Sequence, residues 1–219
     1  HDWVLGPGDM LYLPPLVPHH GVAQDPCLTF SVGMRAPSAA ELMGDWLDEV
    51  LIDADEAIRY HDEDLAPVSD PNEIDVRAMN RVVEALNAIR MNDPDRLGDW
   101  FGRFITTYRA AGDILPSAEA CPREELEWHL AQGAVLERHP WSRMAWRRHH
   151  GDRHASLFAS GRSLELPVSQ ARLLADASQL DAAAWQGLGQ AGRDAAYALY
   201  QAGHYALQSG QDAGDDAAA

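Results

Sequence analysis

The sequence predicts an α+β protein built in successive segments, and three observations predict it. Residues 1–37 alternate apolar with small or polar side chains between Gly- and Pro-rich turns, the period-two pattern of strands. Residues 38–111 switch to apolar side chains at helical spacing. Residues 113–208 combine helical periodicity with short runs around a Gly-Asp and a Ser-Gly turn, as a few helices and a small antiparallel ribbon would.

The elements follow in order. "DWVLGPGDMLYLPP" holds a Gly-Pro-Gly-Asp turn and a short apolar run ended by Pro14-Pro15. "CLTFSVGMRAP" places Cys27, Thr29, Ser31 and Gly33 on one strand face and Leu28, Phe30, Val32 and Met34 on the other. Ser38 with Glu41 three residues on spells a capping box. Leu42, Met43, Trp46, Leu47, Val50 and Leu51 then form the apolar stripe of a first helix. "YHDEDLAPVSDPNEI" is an acidic loop, "DVRAMNRVVEALNAIRM" a second helix, and "DPDRLGDWFGRFITTYRAA" a third, opened by Asp93-Pro94. Three such helices rarely bury their apolar faces alone, so packing against another copy or another domain is expected.

"GDILPSAEACP" reads as a linker. A helix from Arg123, short strands, and helices in "VSQARLLADAS", "DAAAWQGL" and "GRDAAYALYQAGHYAL" suggest a winged-helix-like module. Trp185, Leu188, Tyr197, Tyr200 and Tyr205 are its expected core, and "RRHHGDRH", Arg147–His154, its hairpin tip. The division expected is 1–37, 38–112, 113–208 and a disordered tail, 209–219, with segment 1–37 marginal by itself.

Composition bounds the partners. The net charge is −17, with 34 acidic residues against 17 basic ones, all of them Arg. Such a surface repels phosphate backbones and favours basic partners, so direct nucleic-acid binding is not expected. A GC-rich or salt-adapted genome would give the same bias. No apolar run approaches the roughly 20 residues that span a bilayer. Two distant cysteines, Cys27 and Cys121, fit a reducing, cytoplasmic setting rather than a zinc site. The chain opens on "HDWVLGPGD", with neither an initiator Met nor a basic leader, and reads as a piece whose N-terminal part lies elsewhere.

One stretch carries chemistry. In "PGDMLYLPPLVPHHG" a Gly-Asp turn, Gly8-Asp9, is followed by Pro14 and then by His19. Prolines stiffen the corner, so an imidazole at its end has little freedom to lose, and neutral imidazole suits Fe, Ni and Zn. This spacing resembles the second motif of the cupin superfamily. The wider wording, "PGDMLYLPPLVPHHGVAQDPCLTFSVGMRAPSAAELMGDW", resembles the bacterial JmjC-type ribosomal oxygenases, most densely over residues 5–37. "DWFGRFIT" and "ELEWHLAQGAVLERH" are similar to that family's third helix and winged-helix start.

The resemblance implies the C-terminal part of a double-stranded β-helix (cupin/JmjC), then a helical dimerisation region and a winged-helix-like domain. It implies an Fe(II)- and 2-oxoglutarate-dependent dioxygenase using O2 on an arginine of a large-subunit ribosomal protein, a basic substrate, and a homodimer through the helices. His19 matches the distal metal ligand. Ser31 matches a small polar position near 2-oxoglutarate, and Tyr12 would line the pocket. Leu16 stands where that corner usually has Gly, and His20 where an acidic residue often stands. The family's other two ligands and its basic 2-oxoglutarate partner would precede residue 1, so this piece alone is expected to be inactive. "HDE", His61–Glu63, has ligand-like spacing but sits in the acidic loop after His19. Two rivals share the His-bearing corner: a cupin-type metal isomerase, and a cupin plus winged-helix regulator. The regulator would need a basic recognition helix, and 168–178 and 181–206 carry only Arg172 and Arg193.

Overall fold

The computed structural model describes residues 2–209, except 34, 64, 65, 68, 69, 71, 90, 92, 111 and 152. The chain divides into two compact units, His1–Ala36 and Pro37–Ala219.

In the first unit no described residue is paired into a ladder. A strand needs a neighbour for its N–H and C=O groups, and the alternating segments around Tyr12 and Ser31 find none among the described residues. Almost every described side chain of residues 2–33 is exposed, Leu13 being the partly buried one. Among its described residues the unit therefore has no buried core. Met34, placed on the second strand by its pattern, and the tail beyond Ser209 lie outside the described residues.

The second unit opens with α1 (Ala39–Ile52). The capping box forms as its wording predicts: Ser38 Oγ accepts from Glu41 N–H at 3.1 Å, and the Glu41 carboxylate accepts from Ser38 N–H at 2.8 Å. The backbone N–H and hydroxyl of Ser38, with the Arg109 guanidinium, hold the Glu41 carboxyl down to about 2. Replacing Ser38 by Ala is expected to cost about 1 kcal/mol, read as a lower urea midpoint at unchanged slope.

α2 (Val76–Asn87) follows, capped by the Asp75 side chain. α3 (Pro94–Thr107) begins with Asp93 as N-cap and Pro94 in the first turn. Trp46 and Val50 of α1 and Trp100 of α3 form a small core, the two indoles 5.2 Å apart between centroids. Trp100 Nε1–H donates to Asp45 at 2.7 Å, and Arg103 pairs with Glu49. α2 buries none of its residues, and Met79, Val83 and Leu86 stand exposed along it.

The rest builds one larger core. α4 (Arg123–Ala131) leads to β1 (Val135–Arg138), then to a meander of β2 (Met144–Arg148), β3 (His154–Ala159) and β4 (Arg162–Pro167). α5 (Val168–Asp176), β5 (Gln179–Leu180), α6 (Ala182–Gly187), α7 (Gln190–Gln201) and β6 (Tyr205–Gln208) complete it. A second antiparallel sheet runs β5-β1-β6. The β2–β3 hairpin pairs Arg148 with Ala155, which puts the tip of "RRHHGDRH" where its pattern placed it. Trp185, Leu188, Tyr200 and Tyr205 are buried in the core and Tyr197 packs against it.

One helix expectation is corrected. The run to residue 206 does not stay helical. α7 stops at Gln201, and Gly203 takes φ +85. Gly203 N–H then bonds to Tyr200 O at 3.0 Å and His204 N–H to Leu199 O at 2.9 Å, the two bonds of a Schellman closure. Residues 205–208 turn into β6 and pair with β1, Tyr205 opposite Arg138. α3 also differs from a purely helical unit, because Gly102 brings it flush against Phe158 of β3.

Candidate functional site

The candidate stretch is built from two turns. Pro7-Gly8 forms the first: Asp9 N–H reaches Gly6 O at 3.1 Å, Gly8 has φ +88, and the Asp9 carboxylate accepts from Gly6 N–H at 2.8 Å. The second spans Pro14–Val17, closed by Val17 N–H to Pro14 O at 3.4 Å, with Leu16 at φ +62. This is the pattern of a type II turn, with Pro15 in its favoured second position and Leu16 in the position that usually needs glycine. Pro18 follows, and then His19.

The His19 ring folds back on this corner, with Nδ1 3.1 Å from Val17 O. A carbonyl only accepts, so Nδ1 is the donor in this contact, and in the neutral ring Nε2 would then be the nitrogen with a lone pair to offer. That is the arrangement a metal-binding imidazole needs, with its second nitrogen held by a backbone carbonyl. His19 therefore fits as one donor to a divalent transition metal. A complete donor set is not present, since no group of three His, Cys, Asp or Glu side chains comes within metal-binding reach among the described residues.

The other predicted positions are not gathered around it. Tyr12 is 77% exposed, Ser31 is exposed, and no hydrogen bond or ring contact joins Tyr12, His19 and Ser31 among the described residues. His20 and the "HDE" segment are exposed as well. Both cysteines are free thiols.

In the second unit the polar clusters are structural. Ser156 Oγ donates to Asp99 at 3.2 Å and accepts from His149 Nε2 at 2.7 Å, while Arg147 pairs with Asp95 at 2.7 Å. These bonds fasten the start of α3 to the β2–β3 hairpin. They also account for Arg147 and His149 of the "RRHHGDRH" cluster without a metal or a nucleic acid. A groove between α4, α6 and α7 is walled by Trp185 and Arg193, and its Arg123 is held by Glu127 and Asp194. No described helix is long and apolar enough to cross a membrane. Sequence reasoning missed the Val17 carbonyl, because a backbone acceptor has no letter of its own. Leu16 was visible only as a departure from glycine.

Residues 1–42 match the JmjC domain model, and residues 88–206 match the ROXA-like winged helix model. The chain is 36% identical over 137 residues to the ribosomal protein uL16 3-hydroxylase of Escherichia coli K12, a match covering 63% of this chain and 36% of that protein. It is 52% identical over 42 residues to a probable ribosomal oxygenase of Haemophilus influenzae, covering 19% of this chain and 10% of that protein. Among solved structures it resembles the Escherichia coli ribosomal oxygenase YcfD, with TM-score 0.62 at 27% identity, over 80% of this chain and 47% of that one. YcfD in complex with cobalt and 2-oxoglutarate matches with TM-score 0.60 at 27% identity, over 80% of this chain and 47% of that one. The chain spans about a third of the length of the curated Escherichia coli relative and less than half of these solved chains.

Proposed function

Because this chain belongs to the ROXA-like winged-helix family, whose model spans more than half of it, we propose that it is part of an Fe(II)- and 2-oxoglutarate-dependent oxygenase that hydroxylates an arginine of a large-subunit ribosomal protein. One observation carries the proposal: a JmjC match over the His19 corner and a ROXA-like winged helix occur in one chain. The names of the relatives, a hydroxylase of ribosomal protein uL16 and an oxygenase bound to cobalt and 2-oxoglutarate, support the metal, the co-substrate and the substrate class.

In this reading His19 supplies one iron ligand through Nε2, and Ser31 and Tyr12 lie on the 2-oxoglutarate side. The metal, with 2-oxoglutarate and O2, supplies oxidation of an unactivated C–H bond. The chain's own residues hold and orient. Half of the 34 acidic residues fall between 38 and 112, which holds seven of the 17 Arg. That field suits a basic substrate and steers its approach. The same segment, kept as the working division 38–112, is the proposed homodimerisation region. The uncovered Met79, Val83 and Leu86 of α2 would meet their counterparts in a second copy. A cytoplasmic setting, with no direct contact to nucleic acid or membrane, completes the reading. The regulator alternative loses support from α7, where Arg193 is followed directly by Asp194.

The test is succinate release from 2-oxoglutarate by the whole protein that carries this chain, given a peptide of the ribosomal protein. Removal of an outer partner of a metal ligand lowers affinity or activity 10–100-fold, so His19→Ala is expected to exceed about 100-fold. Turnover that persists in His19→Ala would overturn the proposal.

A further inference from the structure

The geometry points to a binding site in the second unit, outside the His19 corner: a cleft whose two arginines, Arg138 and Arg143, take the two heads of a small dicarboxylate. The cleft lies between the last turns of α3 and α5 and the start of β2, with a volume of about 350 Å3. Arg138 ends β1 and Arg143 stands just before β2, so the connection between these strands carries both.

Charge sets this cleft apart. Acidic residues outnumber arginines 34 to 17, and Arg96, Arg103, Arg109, Arg123 and Arg147 each pair with a carboxylate. Arg138 and Arg143 bond to main-chain carbonyls instead. Arg138 Nη1 donates to Ala175 O at 2.6 Å. Arg143 donates to Tyr108 O at 2.6 Å and to Arg109 O at 3.1 Å. These acceptors sit at the carbonyl ends of α5 and α3, where a cation is favoured. That role takes one N–H of Arg138 and two of Arg143, and a guanidinium has five. The remaining donors suit a carboxylate, which a guanidinium fork meets with two parallel bonds. No acidic side chain lines the cleft. Asp176, next after Ala175, pairs with Arg172. The hydroxyls of Ser142 and Thr106, which also line it, are held by His204 and by the backbone at Gly102 and Gly161.

Two heads, rather than one, follow from the anchoring. The guanidiniums are tied to different helix ends, so they face the cleft from separate walls and do not converge on one small anion. Ile105, Met144, Ala145 and Ala175 supply an apolar floor between them. Such a floor suits a short methylene chain and offers nothing to a phosphate. The net charge of −17 opposes an anion at long range, but salt at 0.1 M screens it beyond about 10 Å. The inference stands apart from the reading of His19 as an iron ligand.

The probe is succinate, titrated into the metal-free full chain at neutral pH and constant ionic strength. The 1H–15N signals of the arginine side chains and the backbone report binding. Acetate and inorganic phosphate are titrated alongside. Succinate is expected to move the Arg138 and Arg143 signals saturably. It should bind about tenfold tighter than acetate or phosphate, as one added charge-assisted hydrogen bond would give. Arg138→Gln and Arg143→Gln each keep an N–H for the helix carbonyl and lose the charge, and each should weaken succinate about tenfold. Ala175→Leu fills the floor, leaves both charges in place, and should weaken it at least as much. Arg172→Gln removes an exposed charge elsewhere on α5 and should change nothing. Backbone signals away from the cleft check that each variant is folded, and Ala175→Leu with Arg143→Gln decides the matter should Arg138→Gln fail to fold. His19→Ala should bind as the parent does, which keeps this outcome separate from that of the iron site.

Succinate that leaves both arginine signals unmoved would end the inference. Acetate bound as tightly as succinate would end it too, since one head would then suffice. A preference for phosphate would replace the two-headed ligand by a single tetrahedral anion. Full affinity in Ala175→Leu would place the anion outside the cleft and refute the site.

Discussion

Gly102→Val is expected to lower the unfolding free energy by about 3 kcal/mol, the upper end for overpacking a well-packed site. The cause is the closeness of α3 to β3. Gly102 is buried, and any Cβ added there would overlap the ring of Phe158, which is itself 1% exposed. The helix cannot simply retreat. Thr106, one turn further on, donates its hydroxyl to Gly102 O at 3.0 Å and accepts from Gly161 N–H at 3.1 Å, which ties α3 to the β3–β4 turn. Phe158 cannot swing away either, because β3 is the central strand of the meander and pairs on both sides. Gly102→Ala sets two effects against each other. Helix propensity favours Ala by about 1 kcal/mol, and the overlap with Phe158 opposes it by about 1–3 kcal/mol. A net loss is expected, so urea unfolding of Gly102→Ala that shows a gain would refute the close-packing argument. The Phe158→Leu background is the control. There the ring is gone, and Gly102→Ala should turn neutral or stabilising, a coupling between neighbours that separate sites would not show.

That contact also shows what the sequence leaves hidden. The start of α1 is legible because a capping box is local: Ser38 and Glu41 need only each other. The start of α3 is legible for the same reason, since Asp93-Pro94 encodes a cap and a first turn within two residues. The His19 corner is legible because glycine, aspartate and proline punctuate it at fixed spacing. What failed is non-local. Nothing near "GHYAL" reveals that β6 pairs with β1, 70 residues earlier, and the apolar spacing through Tyr200 and Tyr205 imitates one continuous helix. Gly203 was the local clue, a glycine at the end of a helical run, and its meaning depends on the two bonds that close over it. The fit of Gly102 to Phe158 is likewise a property of two segments, and neither spells it alone. The site divides the same way. His19 is a letter in the sequence, whereas its orienting partner is a main-chain carbonyl. The strand pattern of residues 1–37 was readable without ladder partners, because alternation encodes the faces of a strand and says nothing of its neighbours.

Acidification is expected to destabilise the second unit in two separate windows, and His204 sets the first. This residue is 3% exposed, its Nδ1 lies 2.8 Å from Ser142 Oγ, and its backbone carbonyl accepts from His139 N–H at 2.9 Å. Burial, with smaller contributions from the Arg162 and His139 charges, pushes its pKa down from 6.5 to about 4. In the folded state the imidazole thus stays neutral where the unfolded chain would already be protonated. Below about 6.5 the unfolded state binds a proton that the folded state refuses, and stability falls. The loss runs from pH 6.5 to about 4 and then levels, because below the folded value both states are protonated. The full shift would correspond to about 3 kcal/mol, and solvent reaching the ring at acid pH reduces this to about 2 kcal/mol. Glu41 acts later. Its folded value of about 2 lies below the ordinary 4.5, so its contribution is complete above 4.5 and is lost as the pH falls towards 2. The two groups can therefore be told apart by urea unfolding at a series of pH values. His204→Gln keeps a polar side chain that can still meet Ser142 and cannot titrate, so the slope between pH 6.5 and 4 should flatten while the lower window remains. Ser38→Ala should do the opposite, weakening the lower window and sparing the upper one. A profile whose upper slope survives His204→Gln would assign that slope to another group and remove His204 as the acid-sensitive point of this core.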